Sequence, residues 1–174
     1  LQAALPELDV YGWGNLDLID KADGIDAYRY HLAIENHRAP HHWTEKLADP
    51  FLGLTLPFYA GCPNAADYFP PDSFIPLDLN DFERALVTIR RAIAEDAYTQ
   101  RLPAIREARR RVMEQYNFFA VVSELIEARH DPTRGGATGV RMLPRRRARR
   151  VTPLHALRYL VENTKVQARS RWER

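Results

Sequence analysis

This sequence predicts an α/β fold, a parallel sheet flanked by helices, and three observations carry the prediction. Apolar runs of strand length at residues 28–34, 54–59 and 73–77 are separated by a helical stretch from Thr44 and a shorter turn at residues 65–69. That order is the signature of a parallel sheet with crossovers. Leu32, Ala33 and Ile34 are consecutive, which suits a strand buried on both faces. Glu35 and Asn36 emerge where that strand ends, and eight residues after Asn36 come Thr44, Glu45 and Lys46, which read as a helix start. A strand end beside a helix mouth, at the carboxyl edge of a parallel sheet, is where open α/β folds bind nucleotides.

Taken in order, residues 8–11 read as a strand leading into the glycine turn Gly12, Trp13, Gly14, Asn15. Its bare backbone would let a base or sugar approach, although ending a strand is the plainer role and no third glycine completes a dinucleotide pattern. Residues 19–27 form a polar surface connection. His37, His41 and His42 crowd one loop broken by Pro40, and no distant His or Cys set completes a zinc site. They read as polar loop residues, one of them a hydrogen-bond donor to a phosphate near the helix mouth. Thr44 caps a helix with Leu47, Ala48, Phe51 and Leu52 at helical spacing, Pro50 distorting its last turn and Gly53 at the C′ position. Cys62, in the turn after the next strand, reads as a small buried residue rather than a nucleophile. Residues 65–69 make one helical turn, stopped by Pro70 and Pro71. Asn80 and Asp81 cap a helix with the apolar face Phe82, Leu86, Ile89 and Ile93. A second helix runs from Asp96 to about Arg111. A third, residues 114–128, offers Phe118, Phe119, Val122, Leu125 and Ile126 to the core.

Composition sets the bounds. The 174 residues, 45% hydrophobic and 28% charged, suffice for one well-packed domain. One cysteine allows no internal disulfide, and no run approaches the roughly 20 apolar residues of a membrane span. The chain opens on Leu1 and runs at once into a strand-like segment, as the C-terminal part of something longer would. The net charge of +2 hides an asymmetry: residues 131–174 hold 12 Lys/Arg against 3 Asp/Glu, leaving 13 against 20 in residues 1–130. The acidic part, residues 1–130, makes nucleic acid an unexpected partner. The tail, residues 131–174, joins a flexible linker to a basic block, residues 141–150, and an amphipathic stretch with Leu154, Leu157, Leu160 and Val161. Such a block can touch an anionic membrane surface.

The ordered elements Ile34-Glu35-Asn36-His37, His42-Trp43-Thr44-Glu45-Lys46, Leu56-Pro57-Phe58-Tyr59-Ala60-Gly61-Cys62-Pro63-Asn64 and Tyr68-Phe69-Pro70-Pro71 are similar to the C-terminal donor-binding domain of family 10 glycosyltransferases, the α1,3/4-fucosyltransferases. The likeness is strongest to bacterial members and covers about residues 7–129. It implies the C-terminal half of a GT-B enzyme, a Rossmann-like domain that holds GDP-fucose against a missing N-terminal domain. By the same resemblance, Glu45 accepts from ribose hydroxyls, Lys46 neutralises the diphosphate as it leaves, Asn36 bonds to phosphate or fucose with Glu35 beside it, and Tyr11 and Gly12 border the base. The family's Ser is His37 here, its Tyr is His42, which would still donate to phosphate, and its Val is Trp43.

The implied reaction is inverting transfer of fucose to a glycan hydroxyl in surface polysaccharide synthesis, its general base a carboxylate of the N-terminal domain. No metal site and no tightly bound cofactor are expected, and the protein is placed in the cytoplasm or on the cytoplasmic face of a bacterial membrane. The chain alone is expected to bind GDP-fucose weakly and not to transfer it. The alternatives are a relative using another nucleotide sugar, and a non-catalytic module acting through its basic tail.

Overall fold

The computed structural model describes residues 3–12 and 16–131, with Thr133, Gly135, Pro144, Arg147 and Thr164. Trp13, Gly14 and Asn15, most of the basic block and the amphipathic stretch at residues 153–161 lie outside the described residues. The chain divides into Leu1–Arg129 and His130–Arg174. In the second unit, Asp131 accepts from the Thr133 backbone N–H and hydroxyl at 2.9 and 2.6 Å.

The α/β class holds. Three parallel strands, β1 (Tyr30–Ile34), β2 (Leu56–Ala60) and β3 (Ile75–Pro76), lie in the order β1-β2-β3. Helix α1 (Glu45–Leu52) crosses from β1 to β2, and two short 3-10 turns, Ala65–Asp67 and Pro71–Ser73, connect β2 to β3. Three helices follow within residues 82–127: α2 (Phe82–Ala94), α3 (Ala97–Glu114) and α4 (Phe118–Glu127). Tyr30 pairs with Leu56 and Ile34 with Ala60, and the bond from Glu35 N to the Ala60 carbonyl at 2.9 Å carries the ladder past the strand end.

β2 is the central strand and is buried through four of its five residues. Against expectation, β1 buries only Ala33 fully. The reason is its place at the edge of the described sheet: residues 8–11, read as a strand, form none. Tyr11 makes only an isolated bridge to Leu16, and Gly12 turns the chain at φ 116°.

Local chemistry explains most helix boundaries. Thr44 Oγ1 accepts from Lys46 N at 3.2 Å and caps α1. At the other end Gly53 has φ −81°, and Leu54 takes the left-handed conformation at φ 56°. Thr55 N donates to the Pro50 carbonyl and Leu54 N to that of Phe51, the paired bonds that close a helix end around a left-handed C′ residue. Gly53 serves a different need, since a Cβ there would come within 2.5 Å of Ile25.

The core gathers Leu47, Phe51, Leu56, Phe58, Phe69 and Ile105, all essentially solvent-free. Phe69 packs on Phe51 and Trp43 at ring separations of 4.9 Å each, and Tyr116 closes on Trp43 at 5.4 Å. Helix α2 buries Ala85, Leu86, Ile89 and Ala92, leaving Phe82 and Ile93 exposed, so its inner face is rotated from the one read in the sequence. Helix α4 departs further. Phe118, Phe119, Leu125 and Ile126 are exposed and no residue of α4 is buried, so it contributes nothing to this core.

Phe51→Ala should cost about 3–5 kcal/mol, measured by denaturant unfolding, because the vacated volume is closed on all sides. His31 offers a pH test. Burial pulls its imidazole below the ordinary 6.5, helped by Lys21 and opposed by Asp49. The unfolded chain then binds the extra proton, so stability is fully present above pH 6.5 and declines as pH falls through the lowered value. Unfolding midpoints should drop over this range, and the drop should be shallower in His31→Gln.

Candidate donor-binding site

The site forms where β1 ends and α1 begins. Glu35 leaves β1 almost fully buried, at 9% exposure. A buried carboxylate is tolerable only when donors surround it, and here they come from two directions. Thr44 gives its backbone N–H to Oε1 at 2.9 Å and its hydroxyl to Oε2 at 2.7 Å, while Tyr59 OH approaches Oε1 at 3.4 Å. Burial pushes the Tyr59 phenol well above its ordinary value, which keeps it a donor, and its oxygen accepts from Cys62 N at 2.9 Å. Glu35 thus ties the end of β1 to the mouth of α1 and, through Tyr59, to the turn after β2. Gly61 is what permits this: a Cβ there would lie 2.3 Å from Glu35 Cγ and 2.6 Å from Tyr59 OH.

The other expected residues divide into three groups. Glu45 and Lys46 stand on the first turn of α1, joined by an ion pair at 3.0 Å, with Lys46 34% and Glu45 57% exposed. The Lys46 ammonium, with the backbone and Thr44 bonds, holds the Glu45 carboxyl below its usual range. Asn36 is exposed at the strand end, and His42 is exposed six residues further on, its ring 6.3 Å from that of His37.

Tyr11 stands apart. It lines a cavity of about 570 Å³ with Val10, Tyr28, Tyr30 and Ile25, which none of Glu35, Asn36, His42, Glu45 or Lys46 lines. Its hydroxyl meets Tyr28 OH, which donates to Asp9 at 2.6 Å. Gly12 is exposed, with open space where a side chain would project. Among the described residues no group of three or more His, Cys, Asp and Glu is arranged to hold a metal ion.

Two features escaped sequence reading. Tyr59 looked like one more apolar strand residue, and only the parallel register puts it on the face of Glu35. His41, at φ 61°, bonds to Asn64 and Tyr68 across the loop after β2, and nothing local marks it above its histidine neighbours.

Residues 1–101 match the profile for glycosyltransferase family 10 (fucosyltransferase), C-terminal part. The chain belongs to this fucosyltransferase family. An α-(1,3)-fucosyltransferase, FucT, from Helicobacter pylori is 32% identical over 72 residues, which is 41% of this chain and 15% of that protein. Among solved structures, an α1,3-fucosyltransferase with GDP is 30% identical with a TM-score of 0.45, and one with GDP-fucose is 29% identical with a TM-score of 0.46. These cover 49% and 52% of this chain and 26% and 27% of those enzymes, so the family 10 chain spans only a fraction of the length of its relatives.

Gly61→Ala in this fucosyltransferase-family chain is expected to destabilise by roughly 1–3 kcal/mol, since the methyl must displace Glu35 or Tyr59 from a packed site. Thermal unfolding measures the loss. An unchanged midpoint would show that the contact relaxes without cost.

Proposed function

We propose that this chain is the donor-binding part of an inverting fucosyltransferase, holding GDP-fucose while a glycan hydroxyl attacks the anomeric carbon. Besides family membership, the observation that carries the reading is the pairing of Lys46 with Glu45 on the first turn of a helix whose mouth is fixed from below by Glu35. The helix end and the ammonium favour a diphosphate. The adjacent carboxylate suits a ribose diol, whose two hydroxyls donate while it only accepts. Asn36 and His42, exposed at the same edge, supply further donors to phosphate or sugar. Tyr11 and Gly12 belong to the base end of the ligand.

Fucosyl transfer needs a base to take the acceptor proton and donors to stabilise the departing diphosphate. Lys46 fills the second role, and the base, a carboxylate, comes from a part of the enzyme beyond this chain. The acceptor is a hydroxyl of a surface glycan, and the enzyme works in the cytoplasm or on the cytoplasmic face of a bacterial membrane, a reading that the basic block at residues 141–150 supports.

Calorimetry tests the donor site. GDP-fucose is expected to bind in preference to GDP-mannose and to UDP-sugars, and binding of a UDP-sugar alone would sink the proposal. Loss of a charge-assisted phosphate bond costs on the order of 1.5–3 kcal/mol. Lys46→Ala should therefore weaken GDP binding about tenfold to a hundredfold, whereas a lysine with a purely structural role would leave it unmoved.

A further inference from the structure

A second polar cluster, on the loops that follow β1 and β2, is left unused by the contacts so far assigned. His41 holds φ 61°, a conformation uncommon outside glycine, and its backbone N–H donates to Asn64 Oδ1 at 2.7 Å. Cys62 Sγ donates to the same oxygen at 3.2 Å. These bonds settle which end of the Asn64 amide is oxygen, so the NH2 group faces Asp67 Oδ2 at 2.7 Å and His41 Nδ1 at 3.0 Å. An amide NH2 only donates. Nδ1 of His41 is therefore an acceptor, and its single lone pair is shared between the amide and Tyr68 OH, 2.7 Å from the same nitrogen. It follows that the imidazole carries its hydrogen on Nε2.

That hydrogen has no partner among the described residues, and the ring is exposed. The ring is also held in place. Tyr68 meets the His41 ring edge-on at 6.0 Å and the Trp43 ring at 5.9 Å, so the tyrosine wedges between the loop and the aromatic cluster of the core. A side chain with one nitrogen committed, its backbone in a costly conformation and its other nitrogen presented outward is a fixed, directional donor.

On the reading of this sheet edge as a GDP-sugar site, we propose that His41 is a further donor-binding residue, its Nε2–H donating to a diphosphate oxygen, with Asn64 and Tyr68 as the positioning residues that set its tautomer. Lys46 brings charge and His41 brings direction. The cluster joins the carboxyl ends of β1 and β2, three residues from the Thr44 cap, where a diphosphate on the α1 mouth would pass.

The test uses the full chain and compares GDP with guanosine by calorimetry. His41→Gly removes the imidazole while glycine takes φ 61° without strain and keeps the N–H to Asn64. GDP should bind about tenfold more weakly and guanosine equally well. In the unaltered protein, 15N-resolved imidazole spectra should show the Nε2–H tautomer for His41, with that proton moving downfield as GDP is added. Tyr68→Phe should shift the imidazole 15N pattern toward mixed tautomers and weaken GDP about threefold; an unmoved pattern overturns its positioning role. Equal GDP affinity in His41→Gly, or an Nε2–H resonance blind to GDP, overturns the assignment of His41. If Lys46→Ala still weakens GDP in the same titrations, the wider donor-site reading stands. Absence of GDP binding by the unaltered chain overturns both.

Discussion

Everything at the carboxyl edge of this sheet depends on one buried carboxylate. Glu35 is nearly out of water, and a charge so placed persists only if its oxygens are met by donors. Thr44 meets both oxygens and Tyr59 adds a third, longer bond. The geometric consequence exceeds the energetic one. Thr44 simultaneously accepts from Lys46 N, so the same residue that satisfies the buried charge also caps α1. The direction in which α1 leaves the sheet is therefore set by the chemistry of Glu35. Glu45 and Lys46, on the first turn, inherit their places from it.

Environment separates the two glutamates into different tasks. Glu35, packed against Gly61, is nearly buried, with Thr44 donating to both of its oxygens. Glu45 is more than half exposed, and its ion pair is with its neighbour Lys46 on its own turn. The resemblance grouped both as donor-binding residues, and residue type alone offers no way to part them. Burial sets their surroundings apart, Glu35 being nearly enclosed and Glu45 reaching solvent.

What was legible in the sequence were the features whose cause is local. Thr44 before an apolar-periodic stretch caps a helix wherever it occurs, and the consecutive Leu-Thr-Leu-Pro-Phe-Tyr run at β2 is strand-like in itself. What failed depended on distant partners. Residues 8–11 have strand character but form no ladder on the open edge of β1, so propensity there finds no pairing. The periodicity of α4 marks an apolar face correctly, yet nothing in Phe118 or Phe119 says whether a surface exists to cover it, and both are exposed. At the end of α1 the glycine was read as the left-handed residue because glycine is the usual one. The space beside Ile25 claims Gly53 instead, and Leu54 takes the strained place. His41 was invisible for the same reason, since its role arises from Asn64 and Tyr68, more than 20 residues further along the chain.

The electrostatics of the helix mouth also bear on how a diphosphate would enter. Lys46 is paired with Glu45 at 3.0 Å, and both side chains reach solvent. Exposed pairs of this kind contribute little, because water screens them and two long side chains must be held in one geometry. A charge-assisted bond from the same ammonium to phosphate contributes about 1.5–3 kcal/mol, so exchange of Glu45 for a diphosphate oxygen favours the ligand. The exchange also frees the carboxylate, which can then accept from hydroxyls while Lys46 is occupied. On the donor-site proposal, a ligand carrying both a diphosphate and a diol would offer each of the two groups a partner of its own. A nucleoside diphosphate satisfies both groups at once, whereas inorganic phosphate would satisfy the lysine and leave Glu45 beside an added negative charge. On that proposal the pair would discriminate by the combination of chemistries, with Glu35 and Thr44 fixing the helix mouth on which both side chains stand.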